Sequence, residues 1–176
     1  MVGTLTAANF AASGPVTTFA QAVAAIRAGT TYFNLHTSAN PGGEVRGQIA
    51  PPGYVVVVNR VNGEQEVPAP RITAARGTTA VTVNTTTLAT DVHINVTGVD
   101  ESTLAHIHDG FAGLNGPVIV NLEKDPAAVT HWRSNGATLT STQLATLLDG
   151  GLYVNVHTPA APAGLVRGQL LPEGVQ

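Results

Sequence analysis

The sequence predicts an all-β protein, an antiparallel Greek-key β-sandwich or barrel that carries one short helix in each of two repeats. Three observations predict it: a weakly charged composition, short segments in which apolar and polar residues alternate, and an internal repeat. Hydrophobic residues make up 43% of the chain and charged residues only 11%. Together with abundant Thr, Val, Asn and Gly, this composition is typical of β-rich proteins.

The internal repeat is visible when the chain is compared with itself at a shift of 121 residues, which places Tyr32 on Tyr153. Residues 32–37 (YFNLHT) then match residues 153–158 (YVNVHT), and the sequence VRGQ recurs near the end of both copies. Upstream, apolar residues recur at helical spacing before a glycine, which is a signal of helix termination. Each copy therefore predicts a short helix, a strand, a turn and a second strand.

The two copies differ in length, and this difference predicts the domain boundaries. Residues 1–50 hold only the second half of a repeat, whereas residues 54–172 hold a complete one, and Pro51, Pro52 and Gly53 link them. Half a sandwich exposes a sheet edge and an apolar face. We therefore expect the half repeat to pack on the complete repeat or on another copy, which favours a homodimer. Because the chain opens within a repeat, we expect it to be part of a longer protein.

Three segments of the complete repeat alternate apolar and polar residues, namely residues 80–84, 92–96 and 104–108. Alternation with a period of two predicts strands that bury one face. Glycines and a proline in residues 113–117 interrupt the chain before a further apolar segment, residues 118–120. Many short strands joined by such turns argue for a sandwich or a barrel.

Charge and cysteine content exclude several classes of function. Eight Lys and Arg against eleven Asp and Glu give a formal net charge of −3, without a basic cluster, so nucleic acid is not an expected partner. The chain has no cysteine, which excludes disulfides and thiolate metal ligands. The longest apolar run, residues 54–58, is too short to span a membrane. No standard nucleophile motif is present, so a hydrolase has the least support.

Several motifs together resemble the CHRD domain, the repeat named after chordin. They are EQEVP at residues 64–68, AHIH at residues 105–108 with the glycines that follow, YVNVHT at residues 153–158 and RGQ at residues 167–169. The resemblance covers the complete repeat in full and the half repeat in part. It implies a secreted β-domain, extracellular or periplasmic and often found in tandem, although residues at the start of this sequence do not show the charged start and apolar stretch of a signal peptide. It implies no enzyme class.

A weaker similarity concerns a metal site. A His-x-His strand in a Greek-key barrel, followed by a glycine-rich loop, is similar to the copper strand of copper/zinc superoxide dismutases. The zinc-loop ligands and the cysteines of that family are missing here. The similarity therefore implies a metal ion on this strand and not the dismutase activity.

Three histidines of the complete repeat lie on the polar faces of their predicted strands. His93 lies opposite the apolar positions of its strand, and so do His106 and His108 in the next one. If these two strands form a hairpin across residues 98–103, the registers that join their apolar faces also bring His93 beside His106 or His108. Three imidazoles would then lie within reach of one ion.

A fourth imidazole follows if the strand that ends at His157 packs beside this hairpin, as the resemblance implies. An all-nitrogen set without thiolate or carboxylate indicates copper first and zinc second. His131 could replace one ligand, and His36 is expected to belong to the site of the half repeat. The sequence thus predicts a metal-binding extracellular module for storage, delivery or redox chemistry. The alternative is a structural or adhesive repeat in which the histidines are incidental and the partners are other proteins.

The two Arg-Gly-Gln motifs predict a structural role for Arg46 and Arg167. A guanidinium fork just after a turn can cap loop carbonyls or pair with a buried carboxylate such as Glu64 or Glu66. Anion binding is the alternative for these two arginines.

Overall fold

The structure, a computed structural model, describes residues 4–99 and 101–172 of the chain. These residues form two compact units, which meet in the chain between Tyr54 and Val55. The domain limits predicted from the repeat, residues 1–50 and 54–172, stay a prediction.

The first unit contains one helix and one strand pair. A 3₁₀ turn (Ala7–Asn9) precedes helix α1 (Phe19–Arg27), strand β1 (Tyr32–Leu35) and strand β2 (Val45–Gln48). Thr18 caps α1 by accepting a hydrogen bond from the Gln21 backbone N–H, and the Gln21 side chain accepts one in return from the Thr18 N–H. Strands β1 and β2 are antiparallel, with Tyr32 opposite Gln48 and Leu35 opposite Val45. None of the side chains on these three elements is buried.

The second unit is the β-barrel. Its elements are β3 (Tyr54–Asn62), a 3₁₀ turn (Gly63–Gln65), β4 (Arg76–Asn84), β5 (Ala89–Thr97), β6 (Leu104–Asp109), β7 (Val118–Asn121), β8 (Glu123–Asp125), β9 (Ala128–Arg133), β10 (Ala137–Thr138), α2 (Ser141–Leu148), β11 (Leu152–Thr158) and β12 (Ala161–Leu170). Helix α2 has the same Thr-Gln capping box as α1, formed here by Thr140 and Gln143. The three alternating segments and residues 118–120 all lie within strands, as predicted.

The sheet of the second unit is nearly closed. Its strand order is β7-β6-β11-β12-β3-β4-β5-β9-β8, with β10 paired to β5. Strands β7 and β8 lie at opposite ends of this order, yet only Leu122 separates them in the chain. The sheet must therefore curve until its two ends meet, and the Leu122 N–H donates to the Ala105 carbonyl where they do. This architecture confirms the all-β prediction.

The alternating residues fill the barrel. Val92, Ile94 and Val96 of β5 are fully buried, and so are Ala105 and Ile107 of β6. Because successive side chains of a strand point to opposite faces, the histidines between these residues point away from the core. The predicted strand faces are thus confirmed.

The predicted hairpin between β5 and β6 is wrong. Strand β5 pairs with β4 and β9, whereas β6 pairs with β11 and β7. The connecting segment is held away from a hairpin turn because Ser102 is buried, accepting hydrogen bonds from the Trp132 indole and from Lys124. The Thr103 N–H donates to the His157 carbonyl, which starts the pairing of β6 with β11. Asp100, in the predicted turn, lies outside the described residues.

Candidate metal centre

Three histidines on the adjacent strands β6 and β11 form one cluster. In the register of these strands His106 lies opposite Asn155 and His108 opposite Tyr153, so His157 is a diagonal neighbour of His106. His106 Nδ1 is 3.0 Å from His157 Nε2. Each of the three imidazoles offers a nitrogen within 4.8 Å of the other two.

Backbone carbonyls orient two of these rings. His157 Nδ1 lies 3.1 Å from the Pro162 carbonyl, and His108 Nδ1 lies 3.0 Å from the Gly116 carbonyl. A carbonyl only accepts hydrogen bonds, so in both rings Nδ1 carries the hydrogen and Nε2 is left with its lone pair. A hydrogen bond from the nitrogen that does not bind the metal fixes the tautomer of metal-binding histidines in this way.

The Nε2 atom of His108 is buried and has no hydrogen-bond partner among the described residues. Buried polar atoms are nearly always paired, because leaving one unpaired costs about 1–3 kcal/mol. The lone pair of this atom is therefore free for a ligand at the cluster.

Burial keeps the cluster neutral. It lowers the pKa of His106 to about 4, with the charges of His157 and His108 as the next causes. Burial is also the largest cause of the lowered pKa of His108 and of His157. Metal ions bind to the neutral form of imidazole, and the three histidines are in this form at neutral pH.

The loop after β6 supports the cluster through Gly116. Its N–H donates to the hydroxyl of Tyr153, and its carbonyl accepts from His108. A Cβ atom at this position would overlap the carbonyl of Asp109, so only glycine fits. The ring of Tyr153 stacks on the His108 imidazole, with centroids 4.7 Å apart and an 8° angle between the planes. Backbone and ring together hold His108 in place.

Arg167 holds the same loop, which confirms its predicted structural role. Its guanidinium lies 3.5 Å above the Tyr153 ring and donates to the carbonyls of Leu114 and Phe111 at 2.9 and 3.1 Å. Glu66 is the carboxylate whose charge reaches Arg167, and burial raises the pKa of Glu66.

The structure does not bring His93 to this cluster, because the predicted hairpin is absent. His93 instead meets His131 of β9, with His93 Nδ1 2.9 Å from His131 Nε2. The predicted site of four histidines is therefore reduced to three neighbours, and metal binding by any of them stays a prediction. His36 belongs to the first unit, where its Nδ1 lies 2.9 Å from the Pro41 carbonyl.

Two aspartates that contact these histidines were not predicted from the sequence. Asp91 contacts His93, and Asp125 contacts His131, each through a carboxylate oxygen 3.1 Å from a ring nitrogen. Asp91 had a signal, since it lies two residues before His93 and so on the same strand face. Asp125 had none, because only the pairing of β8 with β9 brings it to His131.

The fold and the cluster define a β-barrel module with histidines on adjacent strands, and the sequence identifies its family. The profile of the CHRD domain matches residues 2–49 and 58–170, so the chain belongs to the CHRD family. Comparisons with curated proteins and with solved structures find no match. CHRD domains are generally extracellular modules. Among the described residues, no helix combines the length and hydropathy needed to cross a membrane.

Proposed function

We propose that the complete repeat binds one transition metal ion through His106, His108 and His157. The observation that carries this proposal is the buried, unpartnered Nε2 of His108 beside two neutral imidazoles. A metal ion would satisfy this atom, and it would take the Nε2 lone pair of His157 in place of the contact with His106 Nδ1. The protein then acts as an extracellular or periplasmic module that stores, delivers or uses this metal.

The donor set favours copper, with zinc as the second choice. Three neutral imidazoles without thiolate or carboxylate suit both metals. In the structure His106 Nδ1 and His157 Nε2 are 3.0 Å apart, a hydrogen-bond distance that a bound ion would replace with its own bonds. Three protein ligands leave a further position for water or an external ligand.

Metal analysis of protein purified without a histidine tag tests the proposal, before and after loading with copper or zinc. We expect calorimetry to find a site that the His106→Ala/His108→Ala variant loses. Excess metal should raise the melting temperature, because it binds the folded state only. His36→Ala is the matched control, because His36 occupies the position of His157 in the half repeat and should leave this site intact. If the double variant retains every site, the proposal fails.

A structural or adhesive role is the second candidate, and the first unit favours it. Phe33 is 60% exposed and Val45 56% exposed, on a sheet of only two strands. Exposed apolar faces of this kind mark protein interaction sites. We propose that this face pairs with a second copy of the chain to form a homodimer. Sedimentation should find a dimer that Phe33→Ser converts to a monomer, and a monomeric wild-type protein would contradict this.

A further inference from the structure

A second histidine cluster lies on strands β5 and β9, apart from the three-histidine cluster. In the register of these strands Asn95 pairs with His131 and His93 with Arg133, so the two imidazoles are diagonal neighbours. Ile94, which follows His93, and Trp132, which follows His131, pair with each other and are buried. Both imidazoles therefore lie on the outer face of the barrel.

The two rings meet edge to edge. Their planes are parallel within 4° and their centroids are 5.1 Å apart, whereas rings stacked on each other keep their atoms about 3.5 Å or more apart. His93 Nδ1 and His131 Nε2 are nevertheless only 2.9 Å apart. These two nitrogens therefore face each other near the common plane of the rings.

A carboxylate lies at the far nitrogen of each ring. Asp91 Oδ2 is 3.1 Å from His93 Nε2, and Asp125 Oδ2 is 3.1 Å from His131 Nδ1. A carboxylate is ionised at neutral pH and only accepts hydrogen bonds, so each far nitrogen is the donor. A neutral imidazole has one N–H, which leaves a lone pair on both of the nitrogens that face each other. Two lone pairs at this distance repel, and a cation that binds both removes the repulsion.

We propose that His93 and His131 bind a divalent transition metal ion through Nδ1 and Nε2, with Asp91 and Asp125 as the outer partners that orient the rings. Carboxylates behind both imidazoles raise the basicity of metal-binding histidines. Imidazole nitrogen is a donor that zinc, nickel and copper(II) accept.

The surroundings of the pair favour a cation. Besides Asp91 and Asp125, Glu123 lies opposite Arg133 in the register of β8 and β9, so local carboxylates outnumber the arginine. The His93 side chain is 43% exposed and that of His131 18% exposed. An ion held by two imidazoles would therefore keep coordination positions for water or for a donor from outside the chain.

The test uses the full chain with His106→Ala and His108→Ala in place, so that the first cluster cannot contribute. Calorimetry with zinc, nickel and copper(II) should find one site. Adding His93→Ala or His131→Ala should abolish it, and adding Asp91→Asn or Asp125→Asn should weaken it by about 10- to 100-fold. Adding His36→Ala should change nothing, because His36 lies in the other unit.

Circular dichroism establishes that each variant is folded, and His93→Gln replaces His93→Ala if the latter is not. Zinc should also shift the imidazole NMR signals of His93 and His131 more than those of His36. The proposal is overturned if the starting variant binds no ion, or if it binds one that the substitutions at His93 and His131 leave unchanged. Neither result bears on the first cluster, which this variant lacks.

Discussion

The half repeat and the complete repeat contain the same motif in opposite surroundings. In both copies an arginine of the second strand lies 3.5 Å above a tyrosine of the first, as Arg46 does over Tyr32 and Arg167 over Tyr153. The final glutamine of VRGQ also repeats its contact, since its side-chain amide donates to the carbonyl of the glycine after the helix in both units. The motif thus forms its own contacts wherever it occurs.

Burial is where the two copies differ. Phe33, Leu35 and Val45 are exposed in the half repeat, whereas Val154, Val156 and Val166 at the same positions are fully buried. In the complete repeat, strands β6 and β3 pair with the outer edges of β11 and β12. Local sequence therefore determines the strand pair and its own contacts, and the neighbouring strands determine whether its apolar face becomes a core.

The largest difference between the two copies is expected in the loss of stability when their arginines are replaced by alanine. Arg167→Ala removes a buried guanidinium together with its three hydrogen bonds, to Leu114, Phe111 and Gln169. It also removes one of the two positive charges that act on the buried Glu66, the other being that of Arg71. Hydrogen bonds from a charged group contribute about 1.5–3 kcal/mol each, so we expect a loss of roughly 3 kcal/mol or more. Arg46→Ala should cost under about 0.5 kcal/mol, as surface substitutions do.

Urea denaturation measures both variants. Trp132 is the only tryptophan and is buried in the barrel, so its fluorescence follows the complete repeat, while circular dichroism follows both units. Equal losses of stability for the two variants would contradict the comparison.

The second largest effect on stability is expected from acid, which acts through the three-histidine cluster of the complete repeat. Burial, followed by the charges of His157 and His108, lowers the pKa of His106 from 6.5 to about 4. Between pH 6.5 and about pH 4, the unfolded chain therefore binds a proton at His106 that the folded protein does not bind. Stability should be full above about pH 6.5 and should fall as the pH drops toward 4.

Melting of the metal-free protein, followed by Trp132 fluorescence, measures this dependence, and His106→Ala should remove a large part of it. Asp91 and Asp125 do not interfere, since their pKa values are lowered from 3.8 by hydrogen bonds, chiefly from His93 and from the Ala127 backbone. Burial raises the pKa of Glu66, which opposes the effect above pH 4.5. A melting temperature that is constant from pH 7 to pH 4 would contradict the prediction.

Sequence reasoning succeeds here where the information is local or repeated. Alternation located β5 and β6 and sorted their faces correctly, because the side-chain direction of a strand depends only on position. The repeat located both helices, because each is followed two residues after its end by a glycine with positive φ, Gly29 or Gly150. Strand parity also selected His106 and His108, and the family resemblance selected His157.

The sequence does not predict contacts that depend on the order of the strands in the sheet. Nothing near His93 in sequence indicates that β5 takes β9 as its neighbour, because β9 is positioned by closure of the barrel through β7 and β8. The nearest strand in sequence, β6, was the natural choice for a hairpin. The contact of His131 with Asp125 depends on the same closure.

The smallest expected difference comes from one valine that both copies share. Val166 is fully buried, so Val166→Ala removes two methyl groups from the core, at about 0.8 kcal/mol each, and leaves a cavity, for a total of about 2 kcal/mol. Val45→Ala makes the same change at a site that is exposed in the single chain, so it should stay within about 0.5 kcal/mol at protein concentrations at which the chain is monomeric. Urea denaturation, read by Trp132 fluorescence for Val166→Ala and by circular dichroism for Val45→Ala, measures both. If Val45→Ala costs as much as Val166→Ala, the face of the half repeat is covered in solution. A loss of stability that then grows with protein concentration would identify a second copy as the cover.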